Sequence, residues 1–205
     1  MGDDRGMARL FVAVTPPAEV VAALAEAVAR ARPTAPELRW VDLGGSHLTL
    51  AFLGSVDDGL RAALAERLGR VARRHPPVDV RLAGAGRFDD RVLWAGIAGE
   101  LAPLAAGIRR AAEKAGVADV DARPLRAHLT LAYARDTRRR RRPEERRSRN
   151  GQSGAERAGG LGPVVEALGE LPALGWTVDR FDLMSSVLGP RPVYAVESTW
   201  RLGGA

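Results

Sequence analysis

The chain has 205 residues, enough for one substantial domain or two small lobes sharing a core, and its 46% hydrophobic and 27% charged residues are ordinary for a globular protein. Cysteine is absent, which excludes a disulfide framework, a Cys-based metal site and a cysteine nucleophile. The net charge of +6 is local: residues 135–157 hold ten arginines against Asp136, Glu144, Glu145 and Glu156, and the rest of the chain is close to neutral.

The opening MGDDRG is acidic and the apolar run behind it is short, so neither a signal peptide nor a membrane anchor is expected there. No stretch approaches the roughly 18 continuous apolar residues of a spanning helix. Residues 1–7 read as an N-terminal extension ahead of a single domain over 8–205, with a cytoplasmic location. ARLFVAV (8–14) predicts a strand ended by TPP, and Val21, Leu24 and Val28 then fall at helical spacing over 18–31. LRWV (38–41) predicts a short strand and SHLTLAFLG (46–54) a longer one. Asp57 and Asp58 suit the start of a helix that carries Leu60, Leu64, Leu68 and Val71.

VDVRLAGAGRF (78–88) and RVLWAGIA (91–98) read as a hairpin around Asp89 and Asp90. Its Gly84 and Gly86 lack the third glycine and helix start of a dinucleotide site, and are read as a turn. Leu101, Leu104, Ile108 and Ala112 mark a helix that stops near Gly116, and a strand over 128–134 follows. The segment 136–160 has no apolar periodicity and many like charges, which predicts a disordered, solvated insertion able at most to hold RNA phosphates loosely. A helix with Val164, Val165 and Leu168 and two strands near 175–187 and 193–202 complete the chain. Strands and helices mix without strict βαβ alternation, which predicts the α+β class.

The letters HLTLA occur twice, at 47–51 and 128–132. In a strand, residues i and i+2 share a face, so His47 and Thr49 point together while Leu48, Leu50 and Phe52 point oppositely into a core. The second copy places His128 and Thr130 against Leu129, Leu131 and Tyr133 in the same way. A buried imidazole or hydroxyl without a partner costs ~1–3 kcal/mol, so each polar face is either satisfied locally or lines a polar cleft. One such histidine is ordinarily structural. Two of the chain's three histidines in matching positions, 81 residues apart, point to a shared cleft instead.

Two imidazoles across a cleft suit acid–base work on a phosphodiester, because near neutral pH one accepts a proton while the other donates. The threonine hydroxyls can donate to non-bridging phosphate oxygens, where charge grows in the transition state. A metal site is not expected, since two histidines with threonines supply too few ligands.

The two motifs HLTLAFLG and HLTLAYAR, with RLFVAVTPP at the start and LRWV before the first motif, resemble the two-histidine (2H) phosphoesterases. Within them the chain is similar to the RNA 2′,3′-cyclic phosphodiesterases, also called the 2′-5′ RNA ligase family. The resemblance spans all but the first six residues and the arginine-rich segment. It implies a bilobal fold with pseudo-twofold symmetry, two antiparallel sheets lining a central cleft and helices outside. It also implies metal-independent, cofactor-free opening of an RNA 2′,3′-cyclic phosphate to a 2′-phosphate. By the resemblance His47 would be the proton donor and His128 the proton acceptor, with Thr49 and Thr130 on the phosphate. The motif departs from the family at Ala127, where proline is usual, and at Tyr133, where arginine is usual. Arg135, two residues later, is the candidate replacement on the phosphate, although alternation puts it on the Tyr133 face, away from His128. Ser186 matches a recurrent serine of the family's closing strand.

The expected partner is RNA with a cyclic end, acted on by a monomer. Two other readings stay open: a 2H enzyme for a small cyclic phosphate or cyclic nucleotide, and a non-catalytic RNA binder using the arginine segment. His75 reads as a surface residue, and Trp40 as core or rim with an option to stack on a base.

Overall fold

The computed structural model describes residues 6–134, 161–169, 171–187 and 193–204. Among the described residues, nine strands make two antiparallel sheets. The first sheet has the order β3-β1-β8-β9, from Leu48–Asp57 (β3), Met7–Val14 (β1), Arg180–Val187 (β8) and Val193–Arg201 (β9). The second runs β2-β6-β5-β4-β7, from Arg39–Trp40 (β2), His128–Tyr133 (β6), Val92–Ala98 (β5), Val78–Phe88 (β4) and Gly175–Val178 (β7). Each HLTLA motif therefore leads a four-strand run, and the short β2 is added outside the second.

Helices cover the outer faces. Arg61–Arg74 (α2) packs on Ala102–Lys114 (α3), and these two lie against β9 and β3 of the first sheet. Ala18–Ala31 (α1) meets Gly162–Leu168 (α4), which packs on β4 of the second. The apolar positions named from helical spacing explain this: Leu24 and Val28 of α1, Leu64 and Leu68 of α2 and Leu104 and Ile108 of α3 are all buried. One contiguous core runs beneath both sheets, including Leu48, Leu50, Leu129, Leu131 and Phe181. This is the expected α+β architecture of two antiparallel sheets with helices outside. No helix among the described residues is long and apolar enough to cross a membrane.

The lobes are not the two halves of the chain. β2, from the first half, pairs through Arg39 and Trp40 with Tyr133 and Ala132 of β6, whereas β8 and β9 return to the first sheet. The expected strand over 175–187 is accordingly two strands in different sheets, parted at Asp179. The glycine pair is also corrected. Gly84 and Gly86 lie within β4, not in a turn, and Gly84 takes φ +71° at a bulge where the register shifts between Leu82 and Ala85. The arginine-rich segment 136–160 and Arg135 lie outside the described residues.

Candidate active site

A 3₁₀ turn over Leu43–Gly45 delivers the first histidine. It is capped by Asp42, whose side chain accepts from the Gly44 N–H at 3.0 Å. The carbonyl of Gly45 then lies 3.1 Å from Nδ1 of His47. At the second motif, Ile97 N–H donates to the Ala127 carbonyl at 3.0 Å and fixes the chain just before β6. The Arg126 carbonyl lies 2.6 Å from Nδ1 of His128. Both rings are thus held by the carbonyl two residues upstream. A carbonyl only accepts, so Nδ1 carries the proton in each neutral ring and Nε2 is left for proton transfer.

The strands then do something that simple alternation does not anticipate. Along β3 the register passes from Ala13↔Thr49 to Val12↔Ala51, leaving Leu50 as an extra residue. Along β6 it passes from Trp94↔Thr130 to Leu93↔Ala132, leaving Leu131 extra. The same bulge sits at the second leucine of both motifs, and each reverses the faces that follow. Phe52, expected in the core, is 47% exposed and lies on the His47 side with Phe11, the ring centroids 6.1 Å apart. Tyr133 likewise leaves the core side, is half-buried, and carries the Arg39 guanidinium 4.6 Å from its ring centroid.

Directly paired residues of a ladder share a face, which defines the two walls. On the first sheet Thr49, Ala13, Asp182 and Thr199 form one row. Phe52, Phe11, Met184 and Val196 form the next, and Ser186 pairs with Tyr194 beyond it. His47 is packed between Phe11 at 5.0 Å and Tyr194 at 4.8 Å between centroids. Asp182 is only 7% exposed and accepts from the hydroxyls of Thr199 at 2.6 Å and Thr15 at 3.3 Å. On the second sheet Thr130, Trp94 and Gly86 form one row and His128 pairs with Gly96. His128 meets Phe88 edge-on at 4.8 Å and Trp94 at 6.4 Å. Thr49 and Thr130 are half-buried on these same faces.

The imidazoles are perturbed in the same direction. Burial lowers the pKa of His47 below its usual value, the Gly45 carbonyl pulls the other way, and the charge of His128 lowers it further. Burial also lowers His128, again opposed by its carbonyl partner, and the Arg126 charge adds to the lowering. Burial raises the Tyr194 pKa, with smaller effects from Tyr133, which raises it, and Arg39, which lowers it.

Sequence reasoning missed Phe11, Tyr194, Phe88, Trp94, Arg126, Arg39 and Asp182, because none has a spacing that marks a cleft. Gly86 is a missed support: a Cβ there would lie 2.3 Å from the Trp94 ring. Gly86→Ala should therefore displace Trp94 and cost ~1–3 kcal/mol in a denaturant titration, with the indole fluorescence shifted; an unchanged midpoint would refute that packing role. His75 is half-buried at the end of α2 against Gly107 of α3, not free on the surface. Trp40 is half-buried and donates through Nε1 to the Ala35 carbonyl at 3.2 Å.

A family model described as the 2′-5′ RNA ligase superfamily matches residues 16–190. The chain belongs to this family. A Thermus thermophilus RNA 2′,3′-cyclic phosphodiesterase is 36% identical, with 96% of this chain and 91% of that protein covered. A Geobacillus stearothermophilus protein of the same name is 34% identical over 60% of this chain, but the match spans only 40% of that relative. Apo LigT from Escherichia coli superposes with a TM-score of 0.69 at 26% identity, covering 97% of this chain and 99% of that one. The structure of TT0787 from Thermus thermophilus gives 0.71 at 29%, covering 96% and 98%.

Proposed function

We propose that this 2′-5′ RNA ligase superfamily member opens RNA 2′,3′-cyclic phosphate ends to 2′-phosphomonoesters by paired-imidazole acid–base catalysis. The observation that carries the reading is the duplicated histidine station: Nδ1 of His47 and of His128 each on the carbonyl two residues upstream, one on each sheet. The names of the curated relatives agree with this substrate.

In this reading neutral His128 takes a proton from water through Nε2 as the water oxygen bonds to phosphorus. The bond from phosphorus to the 3′ oxygen breaks, and protonated His47 gives its Nε2 proton to that oxygen. The product keeps the 2′ phosphate, and exchange with solvent resets both rings. Thr49 and Thr130 donate to the non-bridging oxygens, where negative charge builds up. Arg135 is carried as a phosphate contact on the family resemblance alone. No cofactor enters the step, and a monomer suffices because one chain supplies both histidines. A cytoplasmic location fits an RNA substrate.

The assignment of His128 as base is supported by the Arg126 charge, which disfavours its protonated form, whereas the matching position before His47 is Gly45. The test of function is product analysis on a cyclic-phosphate-ended RNA in chelator. A 2′-phosphate is expected; a 3′-phosphate, or no opening, would overturn the proposal. Faster opening of a mononucleotide than of an oligonucleotide would move the substrate to small cyclic phosphates.

The pH dependence follows from the directions of both shifts. The base is active above its pKa and the acid below its own, so kcat/KM is bell-shaped with its maximum midway between the two. Both lie below 6.5 in the free enzyme. The maximum of kcat/KM should therefore fall on the acid side of 6.5; a maximum at or above pH 7 would contradict it.

A further inference from the structure

The two histidine stations share one plan and differ in the residue that supplies the carbonyl. Each imidazole is held by the carbonyl of the residue two before it, and each is flanked by two aromatic rings. The residue supplying the carbonyl is Gly45 in the first and Arg126 in the second. Glycine adds nothing beyond its main chain. Arg126 adds a guanidinium, and the fold directs it back over the site: its Cζ lies 5.3 Å from the Phe88 ring centroid and 5.0 Å from that of Trp94. Those are the rings that pack on His128. Cation–π contact with both holds the charge beside the second imidazole.

From this geometry we infer that Arg126 is a positioning residue that biases the direction of proton transfer, its guanidinium held over the two rings beside His128 so that this imidazole is favoured as the base. The inference rests on the paired-histidine reading above. A cleft with two equivalent histidines has no built-in polarity: either ring can lose the proton first, and only one of the two singly protonated forms is productive. A fixed positive charge near His128 shifts the balance between them toward the productive form, with His47 protonated and His128 neutral.

Among the described residues, the other groups facing His128 do not supply such a bias. β4 contributes Phe88 and β5 contributes Trp94 and Gly96, none of them titratable. Arg87 on β4 is exposed and paired with Asp90. From the first sheet the titratable neighbour is His47, whose own pKa the charge of His128 lowers. Arg126 itself is exposed, so water screens it and the expected effect is moderate. A unit charge acting through a largely solvated site gives about half a pH unit.

The experiment is an NMR titration of the His128 ring in the His47→Ala background, in full-length protein with Arg126 or with Arg126→Met or Arg126→Lys. Methionine keeps an apolar stem over the rings and removes the charge, whereas lysine keeps the charge. Arg126→Met should raise the His128 pKa by about half a unit, Arg126→Lys should leave it within a few tenths of the parent, and added salt should raise it only where the charge remains. In the catalytically intact protein Arg126→Met should move the acid limb of kcat/KM upward by the same amount, and Arg126→Lys should restore it. An unmoved His128 in Arg126→Met, or a rise as large in Arg126→Lys, would overturn the inference, the latter because packing alone would then account for it. The titration reads the ring without substrate. If the charge effect appears but no cyclic phosphate is opened, the assigned function fails and the electrostatic role stands; if RNA is opened and the ring does not move, the reverse holds.

Discussion

Replacing His128 by alanine should slow opening of a 2′,3′-cyclic phosphate end by ~10²–10⁴-fold, and replacing His47 should do the same, because each removes a proton-transfer partner from the step. The two losses should not multiply. Once one partner is gone the concerted route is lost, and the double variant should be little slower than the worse single one. Both positions are half-buried, His47 just before β3 and His128 at the start of β6, beside leucines that carry the core, so both variants should fold with near-normal circular dichroism. The measurement is single-turnover opening of an end-labelled RNA. Near-normal turnover in either single variant would sink the paired-histidine mechanism.

The second large effect is expected from the threonines. Thr49→Val and Thr130→Val keep the β-branched shape that suits a strand and remove one hydroxyl each. If those hydroxyls donate to oxygens that gain charge in the transition state, each variant should lose about 10²-fold in kcat with KM changed far less. A purely structural hydroxyl would give the opposite pattern, lower thermal stability with kcat intact. Inorganic phosphate as a competitive inhibitor gives an independent reading: its Ki should weaken in both variants. Unchanged kcat in both would remove the threonines from the chemistry and leave the histidines without their partners.

The pair His47 and His128, and Thr49 and Thr130 beside them, could be read directly from the letters. Repetition of a pattern is a property of the chain itself, and a strand's period of two places polar and apolar residues on opposite faces without reference to any neighbour. The helices were legible for the same reason: Leu24, Leu64, Leu68, Leu104 and Ile108 fall at helical spacing, and the structure buries each of them. The α+β class followed from the order of those local signals.

What local signals do not contain is the identity of a strand's neighbours. A bulge exists only relative to a partner, and the extra residues Leu50 and Leu131 are defined by their pairing with β1 and β5. They turn Phe52 and Tyr133 from expected core residues into residues of the cleft side. The crossing of β2 to the second sheet, and the parting of β7 from β8 at Asp179, are likewise choices among ladders that the sequence leaves equivalent. The aromatic flanks of each histidine come from β1 and β9 in one lobe and from β4 and β5 in the other, far from the motif in the chain and without a spacing to betray them. The sequence alone determined which residues are the candidates for the chemistry, because that information is periodic and local. Only the tertiary structure decided what surrounds them, including the Arg126 charge that makes two like stations unlike, because pairing register and packing are properties of elements brought together from separate parts of the chain.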